Sequence, residues 1–219
     1  MKVLVACEES QTVCKAFRDL GHEAYSCDIK KPSGGHPEWH ILNDALKVLA
    51  GGQIVTMDGA THDVGKWDLL IAHPPCTYLS NAGARHLWKG HELQVDRVML
   101  GILGRDLFMH FWWADIPKIC VENPVPSKVF CLPKHTQTVQ PYEYGHPYSK
   151  KTRLWLKGLE PLHPTNIVEP VATWCPSGSY SHKHGECHKG MFTTDRARNR
   201  AKTFPGIAKA MAEQWGGKI

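Results

Sequence analysis

The chain has 219 residues, 42% hydrophobic and 21% charged, which suits one globular α/β domain with a small appendage and excludes both a disordered tail and two full domains. No apolar run approaches the roughly 18–20 residues that span a bilayer, and Glu8-Glu9 breaks the opening run where a signal peptide would continue, so a cytoplasmic protein with reduced thiols and no membrane association is expected. The net charge of +5 is uneven: residues 1 to 133 carry 13 basic and 15 acidic side chains, whereas 134 to 202 carry 11 and 5.

Lys2 to Cys7 is a short apolar run with β-branched members and predicts a strand. Val13, Phe17 and Leu20 then recur at helical spacing up to Gly21, with Ser10 as the expected N-cap. His22 to Cys27 reads as a second strand with Asp28 at its carboxyl end, completing a βαβ unit. Lys30 to Trp39, rich in Pro, Gly and His, predicts a loop, and a short helix near Asp44 to Leu49 ends at Gly51-Gly52. Trp67 to Ala72 is the next buried strand, stopped by His73-Pro74-Pro75. From Glu92 to Trp113, Val95, Met99, Ile102, Asp106 and Met109 fall at three- or four-residue steps and predict a long helix.

Lys118 to Glu122, stopped by Asn123-Pro124, and Arg153 to Leu156, after the turn-like Tyr144-Gly145-His146-Pro147, are further strands. Residues 157 to 198 lack clean periodicity and read as an irregular insert. Beyond it Pro205 suits a first helical turn, and Ile207, Met211 and Trp215 form an apolar face. Strands alternating with helices imply an α/β fold, a Rossmann-like doubly wound and mostly parallel sheet that takes ligands at its strands' carboxyl ends.

The strand from Asp68 leads through His73-Pro74-Pro75 and delivers Cys76 on a stiff turn at that edge, which suits a nucleophile; a buried structural cysteine is the alternative. Glu122 ends another strand and can share the crevice, where burial favours a proton-donating role. The first turn, Ala6-Cys7-Glu8-Glu9-Ser10-Gln11, approaches any ligand there, and Asp28 stands about 20 residues on, the spacing of an acid that binds ribose hydroxyls.

Together these segments resemble the DNA cytosine-5 methyltransferase family, in the form of a small phage- or bacterial-type member. Ala72-His73-Pro74-Pro75-Cys76-Thr77 resembles the family's Gly-Gly/Ser-Pro-Pro-Cys-Gln, and Glu122-Asn123-Pro124 its Glu-Asn-Val. Tyr144-Gly145-His146-Pro147 with Lys151-Thr152-Arg153 is similar to its Tyr-Gly-x-Pro-Gln-x-Arg-x-Arg, and Asn199 to Trp215 to its last motif, in the same order.

The resemblance covers most of the chain outside 157 to 198. It implies a monomeric enzyme with S-adenosylmethionine as cofactor and DNA as partner, of use in restriction, self-protection or regulation. Residues 1–156 and 199–219 would form the catalytic domain, and 157–198 a reduced target-recognition or zinc-stabilised insert. Cys76 would add to carbon 6 of cytosine while Glu122, placed by Asn123, holds or protonates ring nitrogen 3. Arg153 and Lys151 would brace the base, with Pro75 and Tyr78 beside it. Cys7, Glu8, Ser10, Asp28, Asp44 and Pro74 would line the cofactor, Asp44 meeting the adenine or else capping a helix. A base inside a duplex would have to be flipped out.

Three departures stand against this pattern. The first turn has no glycine where the family has Phe-x-Gly-x-Gly-Gly, Thr77 replaces Gln, and Lys151 replaces Arg. Within the insert, Cys175, His182, His184 and Cys187 are residue types that hold zinc, but without Cys-x-x-Cys spacing; an irregular His-rich loop is the alternative. Lys183, Lys189, Arg196, Arg198 and Arg200, interleaved with Tyr180 and Phe192, suit nucleic-acid contact or a solvated face. Amino-methyltransferase chemistry is disfavoured, since His73 and Cys76 stand where an amine acceptor and a stacking aromatic are needed. Carbon-5 modification of a free pyrimidine nucleotide and a non-catalytic DNA-binding relative stay open.

Overall fold

A computed structural model describes residues 1–174 and 200–217, and the backbone of 186 and 187. Its main elements are β1 (Lys2–Ala6), α1 (Thr12–Arg18), β2 (Glu23–Asp28), β3 (His40–Leu42), β4 (Leu69–Ala72), α2 (Val95–Trp112), β5 (Lys118–Pro124), β6 (Gln137–Val139), β7 (Thr152–Lys157) and α3 (Pro205–Met211). The seven strands form one sheet in the order β6-β7-β5-β4-β1-β2-β3. The five strands from β3 to β5 are parallel, and β7 runs antiparallel between β5 and β6. This is the expected Rossmann-like, mostly parallel sheet. The winding reverses between β1 and β4, and just beyond that point His73 N–H donates to the Ala6 carbonyl at 2.9 Å.

Alternation along each strand divides the core in two. Val3 and Val5 pack with Val13 and Phe17 of α1 and with Ile207 and Met211 of α3; Leu4 and Ala6 face the other way, with Phe108 and Phe111 of α2. Strands buried on both faces are apolar at every position, which is why β1 and β4 stand out in the sequence. Each fully buried leucine, such as Leu4 or Leu70, contributes about 1.5–3 kcal/mol.

Several expectations are corrected. Ser10 is not the N-cap of α1: that position is Gln11, in the left-handed conformation, and no side chain at the cap position bonds the helix. The long helix starts at Val95 because Glu92–Leu93 pairs with Trp88–Lys89 as a hairpin. Its buried face is Gly101, Phe108, Met109 and Phe111, while the periodic Val95, Met99 and Ile102 are exposed. Strand β3 was hidden behind the Pro/Gly/His loop, and β6 carried too little apolar patterning to be noticed. β5 continues through Asn123 and Pro124, paired with β7. The 157–174 stretch is partly anchored in the core: Leu162 is buried, its N–H donates to Gln137 Oε1 at 2.8 Å, and Gln137 Nε2 donates to its carbonyl at 2.6 Å.

Candidate active site

Past β4 the backbone at His73 is fixed to Ala6, Pro74 is buried, Pro75 is exposed and Cys76 is half-buried. The Cys76 carbonyl accepts the Ser80 N–H at 3.1 Å, and Ser80 Oγ accepts the Gly83 N–H at 3.2 Å, so the loop closes into the helical turn Asn81–Ala84. A Cβ at Gly83 would lie 1.8 Å from the Thr77 carbonyl oxygen, an approach only glycine permits. Asn81 N–H donates to the Val125 carbonyl at 3.0 Å and Ser127 N–H to the Leu79 carbonyl at 2.7 Å. The loop that carries Cys76 is thereby tied to the chain that follows Glu122.

Glu122 Oε2 lies 3.4 Å from His73 Nδ1, and the two side chains are only 17% and 7% exposed. Burial raises the Cys76 thiol pKa, and the Glu122 charge raises it further, against the lowering effects of Lys150 and Arg200. These four residues therefore share one electrostatic neighbourhood, and its net effect favours the protonated Cys76 thiol. Lys150 Nζ donates to the Arg200 carbonyl at 2.7 Å and stands 5.8 Å from the Phe204 ring centre. Glu122, Lys150, Thr152, Leu154, Thr203 and Phe204 line a narrow crevice.

Other sequence-predicted residues fall on the opposite face. Leu154 and Cys120 belong to the α1/α3 core, whereas Val121 and Trp155 belong to the α2 core. Alternation then puts Glu122 on the first side, and Asn123 and its cross-strand partner Arg153 on the second. Asn123 is fully buried with no partner for either amide atom among the described residues. Arg153 donates from Nη1 to Thr138 Oγ1 and leaves its buried Nε unpaired. The Lys151 side chain is exposed. Lys150 and Arg200 are the cations that act on Cys76. Tyr78 is half-buried beneath the Arg97 guanidinium, 5.0 Å from its ring centre.

The first turn has the backbone of a glycine loop without its glycines. Cys7 and Gln11 both take φ of 58°, a left-handed conformation that costs about 1–3 kcal/mol in a non-glycine residue. Gln11 is held there by its side chain: Oε1 accepts the His36 N–H at 3.1 Å, and Nε2 donates to the His36 carbonyl at 2.8 Å and to Ser26 Oγ at 3.3 Å. Buried Glu8 accepts the N–H groups of Val13 and Cys14 at 2.6 and 3.1 Å. Burial pushes its pKa up, opposed by His73 and by these N–H donors. The N-terminus of α1 is thus occupied by the protein's own carboxylate, with Ser10 Oγ a further 3.5 Å contact.

Asp28, half-buried at the end of β2, accepts the Lys30 N–H at 2.9 Å with one carboxylate oxygen. Asp44 is exposed and caps the 3-10 turn Ala45–Val48 through the Leu46 N–H at 3.0 Å. Burial first, then the charges of Asp28, Cys27 and Asp44, push the Cys7 thiol up to about 12, so Cys7 and both acids meet at one edge of the sheet. Two carboxylates at the ends of adjacent strands fit the ribose and adenine half of a nucleoside cofactor.

Far along the chain, the Tyr144-Gly145-His146-Pro147 turn meets Phe204-Pro205-Gly206. Gly206 N–H donates to His146 Nε2 at 3.0 Å, and a Cβ there would lie 2.0 Å from the Tyr144 carbonyl oxygen. The zinc expectation at Cys175, His182, His184 and Cys187 concerns side chains outside the described residues; among the described residues no group of three or more His, Cys, Asp or Glu could hold a metal. Lys183, Lys189, Arg196 and Arg198 are outside them too. The six cysteines described are free thiols, and no helix among the described residues is long and apolar enough to cross a membrane.

No family model matches the chain, and no curated protein does. Among solved structures, an Escherichia coli prophage-encoded protein described as a candidate DNA modification methyltransferase is similar over 79% of this chain and 53% of its own, with 12% identity and a TM-score of 0.42. The present chain spans about half the length of that structure.

Proposed function

We propose that the protein transfers a methyl group from S-adenosylmethionine to carbon 5 of cytosine in DNA. The observation that carries this reading is the half-buried Cys76 at the carboxyl end of β4, electrostatically coupled to the carboxyl group of Glu122 at the end of β5. Asp28 and Asp44 would hold the nucleoside half of the cofactor, which supplies an electrophilic methyl group when bound. Residues 157–198 would serve as the target-recognition insert.

In this reading the Cys76 proton passes to the Glu122 carboxylate, directly or through water, as the sulfur bonds to carbon 6 of a flipped-out cytosine. Glu122 bonds ring nitrogen 3 and supplies the proton that keeps negative charge off the ring as carbon 6 is attacked. Carbon 5 becomes electron-rich as an enamine. Lys150, which lines the crevice with Glu122, offsets negative charge close to the adduct. Once carbon 5 has bonded to the methyl group, its proton leaves to solvent, the sulfur–carbon bond breaks and the proton on ring nitrogen 3 returns to Glu122, which restores the ring and the thiolate.

DNA containing 5-fluorocytosine, which cannot lose a carbon-5 proton, tests this reading. With S-adenosylmethionine the wild type should form an adduct stable to denaturing electrophoresis and transfer labelled methyl to normal DNA, and Cys76→Ser should do neither. Label entering only free dCMP would move the substrate to nucleotides. DNA binding without calorimetric cofactor binding would leave a non-catalytic relative.

A further inference from the structure

Resting on that reading, we infer that His73 is a positioning residue that holds the Glu122 carboxylate by one oxygen. His73 is fixed from both directions, by the bond from its N–H to Ala6 and by the rigid Pro74 that follows it. Its Nδ1 lies 3.4 Å from Glu122 Oε2, a separation that a closed complex can shorten. The partner is a carboxylate, so Nδ1 carries the proton, and in the neutral ring Nε2 is left as an acceptor.

Nε2 is itself buried and has no hydrogen-bond partner among the described residues. The charged and titratable groups around this link are Glu8 from the first turn, which interacts electrostatically with His73, and Cys76, on which Glu122, Lys150 and Arg200 each act. A glutamate side chain has several rotamers. Fixing Oε2 at His73 restricts them and leaves Oε1 to meet the base, so the orientation of the proton donor is set before substrate arrives.

His73→Ala should lower kcat for methyl transfer about 10–100-fold while KM for DNA and for S-adenosylmethionine stays within about twofold. His73→Asn, whose amide can donate from near the Nδ1 position, should recover most of that loss. An unchanged rate in His73→Ala, or no recovery in His73→Asn, overturns the proposal. Imidazole 15N spectra of the wild-type chain give a readout independent of turnover and of the variants' folding. They should show a protonated His73 Nδ1, reverting to the Nε2-protonated form in Glu122→Ala; an unprotonated Nδ1 in the wild type overturns the link. Should the wild type transfer no methyl group at all, the functional reading falls and these spectra alone decide the His73–Glu122 relationship.

Discussion

The Glu8 carboxylate closes the N-terminus of α1 from five residues upstream, accepting the Val13 N–H at 2.6 Å and the Cys14 N–H at 3.1 Å. An acid at this end also complements the helix dipole. Replacing it by alanine strands two buried donors, so Glu8→Ala should cost about 1–3 kcal/mol. Glu8→Gln should cost less, because Oε1 can still accept one of the two bonds. Urea unfolding midpoints at constant m-value measure both, and a loss below about 0.5 kcal/mol in the alanine variant would contradict the capping role.

The same buried acid predicts a pH dependence. Its folded-state pKa is raised, principally by burial, above the ordinary carboxyl value of 4.5. Between that value and the raised one, the folded chain binds more protons than the unfolded chain, so this group's contribution to stability falls as pH rises through the window and is constant above it. Thermal midpoints of wild type and Glu8→Gln should therefore diverge as pH is lowered from the raised value toward 4.5, the wild type gaining relative to the variant. Parallel curves across that range would refute it.

Cys76 should be a slow thiol in the free protein. Burial and the Glu122 charge both raise its pKa, so the thiolate fraction at neutral pH is small and grows with pH. Iodoacetamide should label exposed Cys131 well before Cys76 at pH 7.5, with the Cys76 rate climbing as pH increases. Glu122→Gln, which removes the repelling charge, should accelerate Cys76 labelling. Peptide mass spectrometry separates the two sites; equal Cys76 rates in wild type and Glu122→Gln would show that the two groups are not coupled.

Gly83 should tolerate no side chain. An added methyl would meet the Thr77 carbonyl oxygen at 1.8 Å, and relief requires the loop after Cys76 to move. Gly83→Ala should cost about 1–3 kcal/mol of stability. It should also depress adduct formation on 5-fluorocytosine DNA more strongly than the surface change Lys89→Ala. Full adduct yield in Gly83→Ala would mean that the loop adjusts without displacing Cys76.

How far the sequence could be read follows from the range of each signal. The β1 and β4 runs were legible because a strand covered on both faces is apolar at every position, and the α3 face because Pro205 marks its start. The α2 helix was legible but its buried side was not: Val95, Met99 and Ile102 are as apolar as the core-facing Phe108 and Phe111, so periodicity alone could not choose between faces. Strands β3 and β6, three residues each, are too short to show alternation and exist because neighbouring strands pair with them.

Composition and motif order alone determined an α/β chain with a cysteine and a glutamate at the ends of two parallel strands, since strand and turn signals are local. Only the tertiary structure decided which cations act on that cysteine. Strand alternation turns Arg153 away with Asn123, while Lys150 comes next to Arg200 from fifty residues downstream. The fate of the glycine-free turn was settled there too: Glu8 and Gln11 hold it through Val13, Cys14, Ser26 and His36, because buried polar groups must find partners wherever the fold supplies them.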